Sequence, residues 1–371
     1  MAPQPLHTYL RSALQIGLFW GILGTLQMLY EYNVLVNYKV LPDYYSFPII
    51  FQSIVIPIFI SGLLVGFFLM HRVNVWLRKY PYGIALFYVL LSFSILYIFI
   101  NICAAAVYNI LYLEVEPNAR IVWQNVWLYF TSWENFKNYV FWTSINLVTI
   151  LALQINDKYG PGNFRAFLRG KYFQPQMEER IFMFLDLRAS THIAESLDEL
   201  EYFEFVKDFY KDATDGILAN RGEIEKYIGD EILIGWPVAE GLRYNRCIHA
   251  FFDIKATFEK RKQAYLKKYN VVPDFKAGLH VGKAIVGEIG VIKKDIAFSG
   301  DVLNTASRIQ SACNELGVDL LFSEELAEQL DWEGDLELLP MGQVNLKGKQ
   351  EEVALFSAVS RKVSFFSFDQ L

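Results

Sequence analysis

The sequence predicts an α/β (α+β) soluble half preceded by an all-α membrane half, and three observations carry that reading. First, four windows, residues 12–30, 44–71, 80–113 and 138–156, contain no Asp, Glu, Lys or Arg. Each is long enough for a helix across a hydrocarbon core, which takes ~20 residues. Second, from residue 156 onward strand-like and helix-like segments interleave, with several adjacent strand pairs. That pattern predicts a mixed sheet with helices on one side. Third, the charge is split: residues 1–155 carry seven Lys/Arg against five Asp/Glu, while the whole chain stands at −6, so residues 156–371 carry −8. An acidic soluble half argues against a nucleic-acid partner, whose phosphates need a basic footprint. Cys103, Cys247 and Cys313 are too scattered for a disulfide framework or a cysteine-based metal site, and fit a reducing compartment.

Residues 1–155 are expected to form a four-helix transmembrane domain within the lipid bilayer. The first window lacks the small-residue site of a cleaved signal peptide. Arg72, Arg78 and Lys79 in the second loop, and Lys158, Arg165, Arg169 and Lys171 after the fourth window, outnumber Lys39 and Arg120 on the other side. By the positive-inside rule both termini are cytoplasmic, so the expectation is an integral plasma (inner) membrane protein. Apart from His71 at an edge the spans hold no ionisable residue, which disfavours a transporter or proton relay. Asn101 and Asn146 read as interhelical hydrogen-bonders. Residues 156–180 form a juxtamembrane connector broken at Gly160-Pro161-Gly162, and residues 359–371 form a tail.

The soluble elements follow in order. "RIFMFLDL" is a strand buried on both faces, ending in Asp186. A carboxylate there must be paired, hydrogen-bonded or bound to a cation. A helix begins near Ser196, which has capping-box spacing to Glu199. "GEIEKYIGDEILIGWP" is a hairpin turning tightly at Gly229-Asp230. A second helix covers roughly 240–268, "DFKAGLHVGKAIVGEIG" reads as two strands with glycine turns, and "KKDIAF" as another. "DVLNTASRIQSACNEL" is helical, and a short strand, a short helix and two closing strands end near Ala358.

Four features stand out against bland alternatives. Asp230 can be a turn residue only. Lys226, between Ile224 and Ile228, falls by period-two alternation on an apolar strand face, which snorkelling could also explain. Asn304 and Arg308, four apart, project together beside the apolar stripe Val302, Ala306, Ile309 and Cys313. Gly282, Gly287 and Gly290 are individually ordinary. Together, two carboxylates from different strand ends can hold two hard divalent ions, as phosphoryl-transfer sites do, while Lys, Asn and Arg hold base, ribose and polyphosphate.

At these residues "FMFLDLRASTHIAE", "EKYIGDEILI", "AGLHVGKAIVGEIG" and "KDIAFSGDVLNTASRIQ" resemble the four signature blocks of the class III adenylate/guanylate cyclase catalytic domain, over about 181–358. The membrane half and connector also resemble those of a group of bacterial membrane cyclases. The resemblance implies the ferredoxin-like class III cyclase fold and a membrane-anchored adenylate cyclase converting ATP to cyclic AMP and pyrophosphate. It implies that Asp186 and Asp230, with the carbonyl near Leu187, bind two Mg²⁺ or Mn²⁺ per site. One metal acidifies the ribose 3′-hydroxyl, which attacks the α-phosphorus in line. The resemblance also implies that the turn Arg188, Ala189, Ser190 and Thr191 cradles phosphates, that Asn304 orients the ribose, that Arg308 stabilises the transferring phosphate, and that Lys226 donates to adenine N1. The resemblance implies that the site forms in a homodimer, with aspartates from one chain and Lys226, Asn304 and Arg308 from the other. Adenylate-forming members typically carry Asp or Thr at the position of Ala297, so base discrimination is expected to be weaker. Lys347 and Lys349 are candidates for a late phosphate contact. The alternatives are a guanylate cyclase and a silent cyclase-like receptor or nucleotide-sensing module.

Overall fold

The computed structural model describes residues 6–41, 46–68, 80–159, 170–292, 295–345 and 352–361. The chain divides into two compact units, one ending at Ile155 and the other beginning at Asn156. The cationic second loop, Gly160-Pro161-Gly162, Lys347, Lys349 and the end of the tail lie outside the described residues.

Among the described residues the helices of the first unit are α1 (Leu6–Asn37), α2 (Phe47–Phe68), α3 (Tyr82–Leu113), α4 (Arg120–Phe130) and α5 (Trp133–Tyr159). Three are long and apolar enough to cross a membrane: Ala13–Asn37, Phe47–Phe67 and Gly83–Leu113. The fourth expected span, within α5, differs because Asn138, Thr143, Ser144, Asn146 and Thr149 make it more polar. Helices α1 and α2 meet through small residues: a Cβ on Gly62 would lie 2.9 Å from the Gly17 Cα, the close approach that favours packing in an apolar medium. Trp20, almost wholly buried, donates from Nε1 to Thr149 Oγ1 at 3.3 Å, tying α1 to α5. Asn101 donates to the Tyr97 carbonyl within its own helix at 2.9 Å. Asn146 is buried with neither side-chain atom bonded among the described residues. Neither asparagine makes the expected bond between helices.

The second unit is an eight-stranded mixed sheet. Its elements are β1 (Gln176–Leu187), α6 (Ser190–Ser196), α7 (Glu199–Ala219), β2 (Glu223–Ile228), β3 (Glu231–Pro237), α8 (Val238–Leu242) and α9 (Arg246–Tyr269). They continue with β4 (Phe275–Ile289), β5 (Asp295–Ser299), α10 (Asp301–Leu316), β6 (Leu320–Ser323), α11 (Glu324–Ala327), β7 (Leu336–Val344) and β8 (Val353–Ser360). The strand order is β2-β3-β1-β4-β6-β8-β7, with β5 paired to β4. Strand β1 starts inside the segment assigned to the connector, and β8 runs into the predicted tail.

Strand alternation splits β1 between two cores. Ile181, Met183, Leu185 and Leu187 pack with α7 and α9, while Phe182 and Phe184 pack with α10 through Val302 and Ala306. Helices therefore cover both faces, not one. The reason lies in "HVGKAIVGEIG": it is not two strands with glycine turns but part of one fifteen-residue strand. At Gly278 a Cβ would overlap the Gln310 backbone, so glycine is what lets α10 lie against β4. The capping reading also shifts. Ser196 ends α6, donating to the Ile193 carbonyl, and α7 is capped by Asp198, whose Oδ1 accepts from Glu201 N at 2.7 Å.

Candidate functional site

The α10 side of the sheet collects the predicted residues. Asp186, at the end of β1, pairs with Glu231 on β3 and with Lys276 on β4. Because directly paired residues share a face, all three side chains emerge together. Asp230 stands in the two-residue turn beside Glu231, where Gly229 adopts φ +64°. Tyr210 on α7 donates its hydroxyl to the Gly229 carbonyl, and its ring lies tilted 4.4 Å from that of Tyr227, which braces the turn from behind.

The electrostatics of this corner are acidic. Gln310 Nε2 donates to Asp186 Oδ2 at 2.7 Å, and Lys276 Nζ lies 3.4 Å from the same oxygen. Burial, and then the charge of Asp230, push the Asp186 carboxyl up, against the opposing pull of Lys276 and Gln310. Burial, then Asp186 and Asp230, raise Glu231 to about 7. Burial and then Asp230 raise Tyr210 to about 12. Asp186 and Glu231, raised in this way, lack enough positive charge nearby. Among the described residues no group of three or more His, Cys, Asp or Glu is arranged to hold a metal. A cation here would therefore use Asp186, Asp230 and a backbone oxygen such as that of Leu187, a hard all-oxygen set that fits Mg²⁺ or Mn²⁺.

Lys226 reaches this face by a route that alternation did not foresee. Ile224 pairs with Ile234 and Lys226 with Leu233, so Glu225 is a bulge. Ile234 belongs to the core under α7 and α9, and Leu233 to the core under α10. The bulge thus moves Lys226 off the face of Ile224 and onto the α10 side, where it is exposed. Snorkelling is not needed.

Asn304 and Arg308 project from α10 beside the buried stripe Val302, Ala306, Ile309 and Cys313, as predicted. Asn304 is exposed and Arg308 half-buried, and neither makes a side-chain hydrogen bond or ion pair with any described residue. The residue of α10 that touches Asp186 is Gln310. Among the described residues, Arg308 makes no direct ion pair with Asp186 of its own chain.

The predicted phosphate turn is only partly available. Arg188 donates from Nη1 to Asn314 Oδ1 at 3.1 Å and from Nη2 to the Val318 carbonyl at 2.6 Å, and pairs with Asp319 at 3.0 Å. Its guanidinium is committed to the end of α10. Ala189, at φ +53°, leads into α6, which starts at Ser190 and contains Thr191. Ala297 sits on β5 opposite Gly287, followed by Phe298, whose ring lies 5.4 Å from that of Phe182.

Sequence reading missed Gln310, Lys276 and Arg180. Lys276 carried the signal that flagged Lys226, a lysine inside an apolar strand. Gln310 lies four residues after Ala306, on the buried side of α10, where a polar residue needs a partner.

Residues 173–358 match the family described as the adenylate and guanylate cyclase catalytic domain. The chain is similar to "Adenylate cyclase 2" of Rhizobium meliloti (strain 1021), 32% identical over 215 residues, covering 58% of this chain and 59% of that protein. It is also similar to an adenylate cyclase of Anabaena cylindrica, 25% identical over 237 residues, covering 58% of this chain and 46% of that one. The chain thus spans about half to three-fifths of the length of these curated relatives. A solved bacterial light-regulated adenylyl cyclase superposes with a TM-score of 0.50 at 22% identity, covering 58% of this chain and 63% of that one, a likeness of fold.

Proposed function

This chain belongs to the adenylate and guanylate cyclase catalytic-domain family over residues 173–358, and we propose that it is a membrane-anchored adenylate cyclase converting ATP to 3′,5′-cyclic AMP and pyrophosphate at a homodimer interface. The observation that carries the reading is Asp186 at the end of β1, raised by burial and by the charge of neighbouring Asp230, on the face to which the bulge brings Lys226. Two divalent cations on these aspartates would supply Lewis-acid activation of the ribose 3′-hydroxyl and neutralise polyphosphate charge.

The chain's own residues divide the remaining work. Gln310 and Lys276 hold Asp186 Oδ2, fixing the carboxylate's orientation. Arg308 presents a charged fork to the α-phosphate as charge builds on it, and Asn304 holds the ribose. Lys226 donates to a ring nitrogen of adenine. The backbone N–H groups of residues 189–191 take the polyphosphate. Because Asn304 and Arg308 stand apart from Asp186 in one chain, the site is completed by a second copy placed head to tail, giving two equivalent sites. Three N-terminal helices long and apolar enough to span a membrane support the anchored reading.

Guanylate cyclase is the second reading, favoured by one observation: Ala297 offers no side-chain hydrogen bond to the adenine amine. The test is to purify the full chain in detergent, incubate it with Mn²⁺ and either ATP or GTP, and resolve the products by chromatography. Cyclic AMP that vanishes in Asp186→Ala is the expected result. Cyclic GMP alone, from GTP, would establish the second reading. No product from a folded dimer would overturn both.

A further inference from the structure

Strand β2 brings Lys226 to the α10 side because Glu225 is inserted between it and Ile224. An unanchored bulge can relax into regular pairing, and a one-residue slip reverses the face of every side chain after it. Here the inserted residue is anchored. The Glu225 side chain is 9% exposed and accepts from Arg180 Nη2 at 2.9 Å. It fits because residue 235 is glycine: a Cβ there would lie 2.5 Å from Glu225 Oε1. Arg180, only 4% exposed, also lies 5.1 Å from the centre of the Phe298 ring. Phe298 directly follows Ala297 on β5. One buried guanidinium thus touches the neighbour of Lys226 and the neighbour of Ala297.

We propose that Arg180 is a positioning residue for base recognition, locking the β2 bulge through Glu225 and the β5 strand through Phe298 so that positions 226 and 297 frame the purine. The proposal rests on the reading of Lys226 as a base contact. Its mechanism is geometric. Arg180 touches no substrate, and the residues on the two strands flanking the base share it as their buried anchor.

The test measures kcat and KM for ATP and for GTP with the full-length protein in detergent. Arg180→Met removes the anchor. Gly235→Ala keeps every charge but pushes Glu225 aside, and so covers the case in which Arg180→Met fails to fold. The expected result for either is a rise in KM for ATP of about tenfold, an ATP-over-GTP preference reduced by a similar factor, and a kcat changed by less than about threefold. Glu225→Gln retains the acceptor and should keep values near wild type. Glu223→Gln removes a half-exposed carboxylate that touches the same arginine but is not the inserted residue, and should leave KM and preference unchanged. If Lys226→Ala lowers the preference while Arg180→Met and Gly235→Ala do not, the proposal is overturned and the reading of Lys226 stands. If Lys226→Ala leaves KM and preference unchanged in an active enzyme, that reading falls and takes the proposal with it. A loss of kcat and Tm together at constant KM would assign Arg180 a structural role only and likewise overturn the proposal.

Discussion

The two ends of β1 on its α10-facing side contain similar residues in opposite states. At the Arg180 end one guanidinium contacts Glu178, Glu223 and Glu225, and Lys171 pairs with Glu178 at 2.8 Å. Every carboxylate there has a cation from the same chain. At the Asp186 end, burial and the charge of Asp230 raise Asp186, burial with Asp186 and Asp230 raises Glu231, and Lys276 stands 3.4 Å from Asp186. The first cluster is closed and the second is open. Six residues apart on one strand face, carboxylates are neutralised within the chain at Arg180 and left short of countercharge at Asp186. What separates them is how much of the countercharge the chain supplies.

The sharpest way to break that comparison is to empty the open end. Asp186→Ala or Asp230→Ala should reduce cyclic nucleotide production to background, while both proteins fold and bind detergent like the parent. Substantial residual activity would show that the acidic corner is not the cation site. Arg308→Ala should lower kcat by roughly 10²–10³-fold with a smaller change in KM, the scale of removing one charge-stabilising donor. A change confined to KM would reassign Arg308 to ground-state binding. Equal mixing of Asp186→Ala and Arg308→Ala chains should restore roughly a quarter of parental activity, because half the dimers are mixed and each has one intact site. No recovery in confirmed heterodimers would end the shared-site reading.

Smaller effects sharpen the contrast. Gln310→Leu removes the bond that orients Asp186, and the Mn²⁺ concentration for half activity should rise ~10-fold, the scale of losing an outer partner of a metal ligand. At the closed end, burial pushes the Glu225 carboxyl up to about 8 against the pull of Arg180, with Glu223 and Glu178 adding to the rise. Its folded-state proton affinity exceeds the unfolded one, so its contribution to stability is full below about 4.5 and is lost as pH rises through about 8. Between pH 5 and 8.5 the parent should therefore lose stability relative to Glu225→Gln, on the order of 2 kcal/mol, read as a pH-dependent difference in Tm. A difference that stays flat with pH would mean that Arg180 and Lys171 fully compensate the three glutamates.

Much of the site was legible because its residues violate the local pattern. Asp186 ends an apolar run, Lys226 interrupts one, and Asn304 and Arg308 flank a clean helical stripe. The glycines misled because a residue without a side chain signals both a turn and a close approach. Gly278 and Gly282 lie inside one long strand, where they admit α10. The Ser196 cap misled because Asp198, two residues on, offers the same kind of oxygen in better register.

The sequence by itself determined the membrane-length apolar helices, the alternation of strands and helices, and which charged residues stand out as candidates for the site. These depend on composition and on periods of two and 3.6, which are properties of neighbouring residues. Only the tertiary structure decided that helices cover both faces, that Lys226 stands on the face of Asp186, that Gln310 and Lys276 contact Asp186, and that Arg180 contacts Glu225 and Phe298. Each depends on pairing between strands and helices distant in the chain. A single inserted residue, Glu225, reverses a face without leaving any trace in the local period, because the bulge exists only relative to β3.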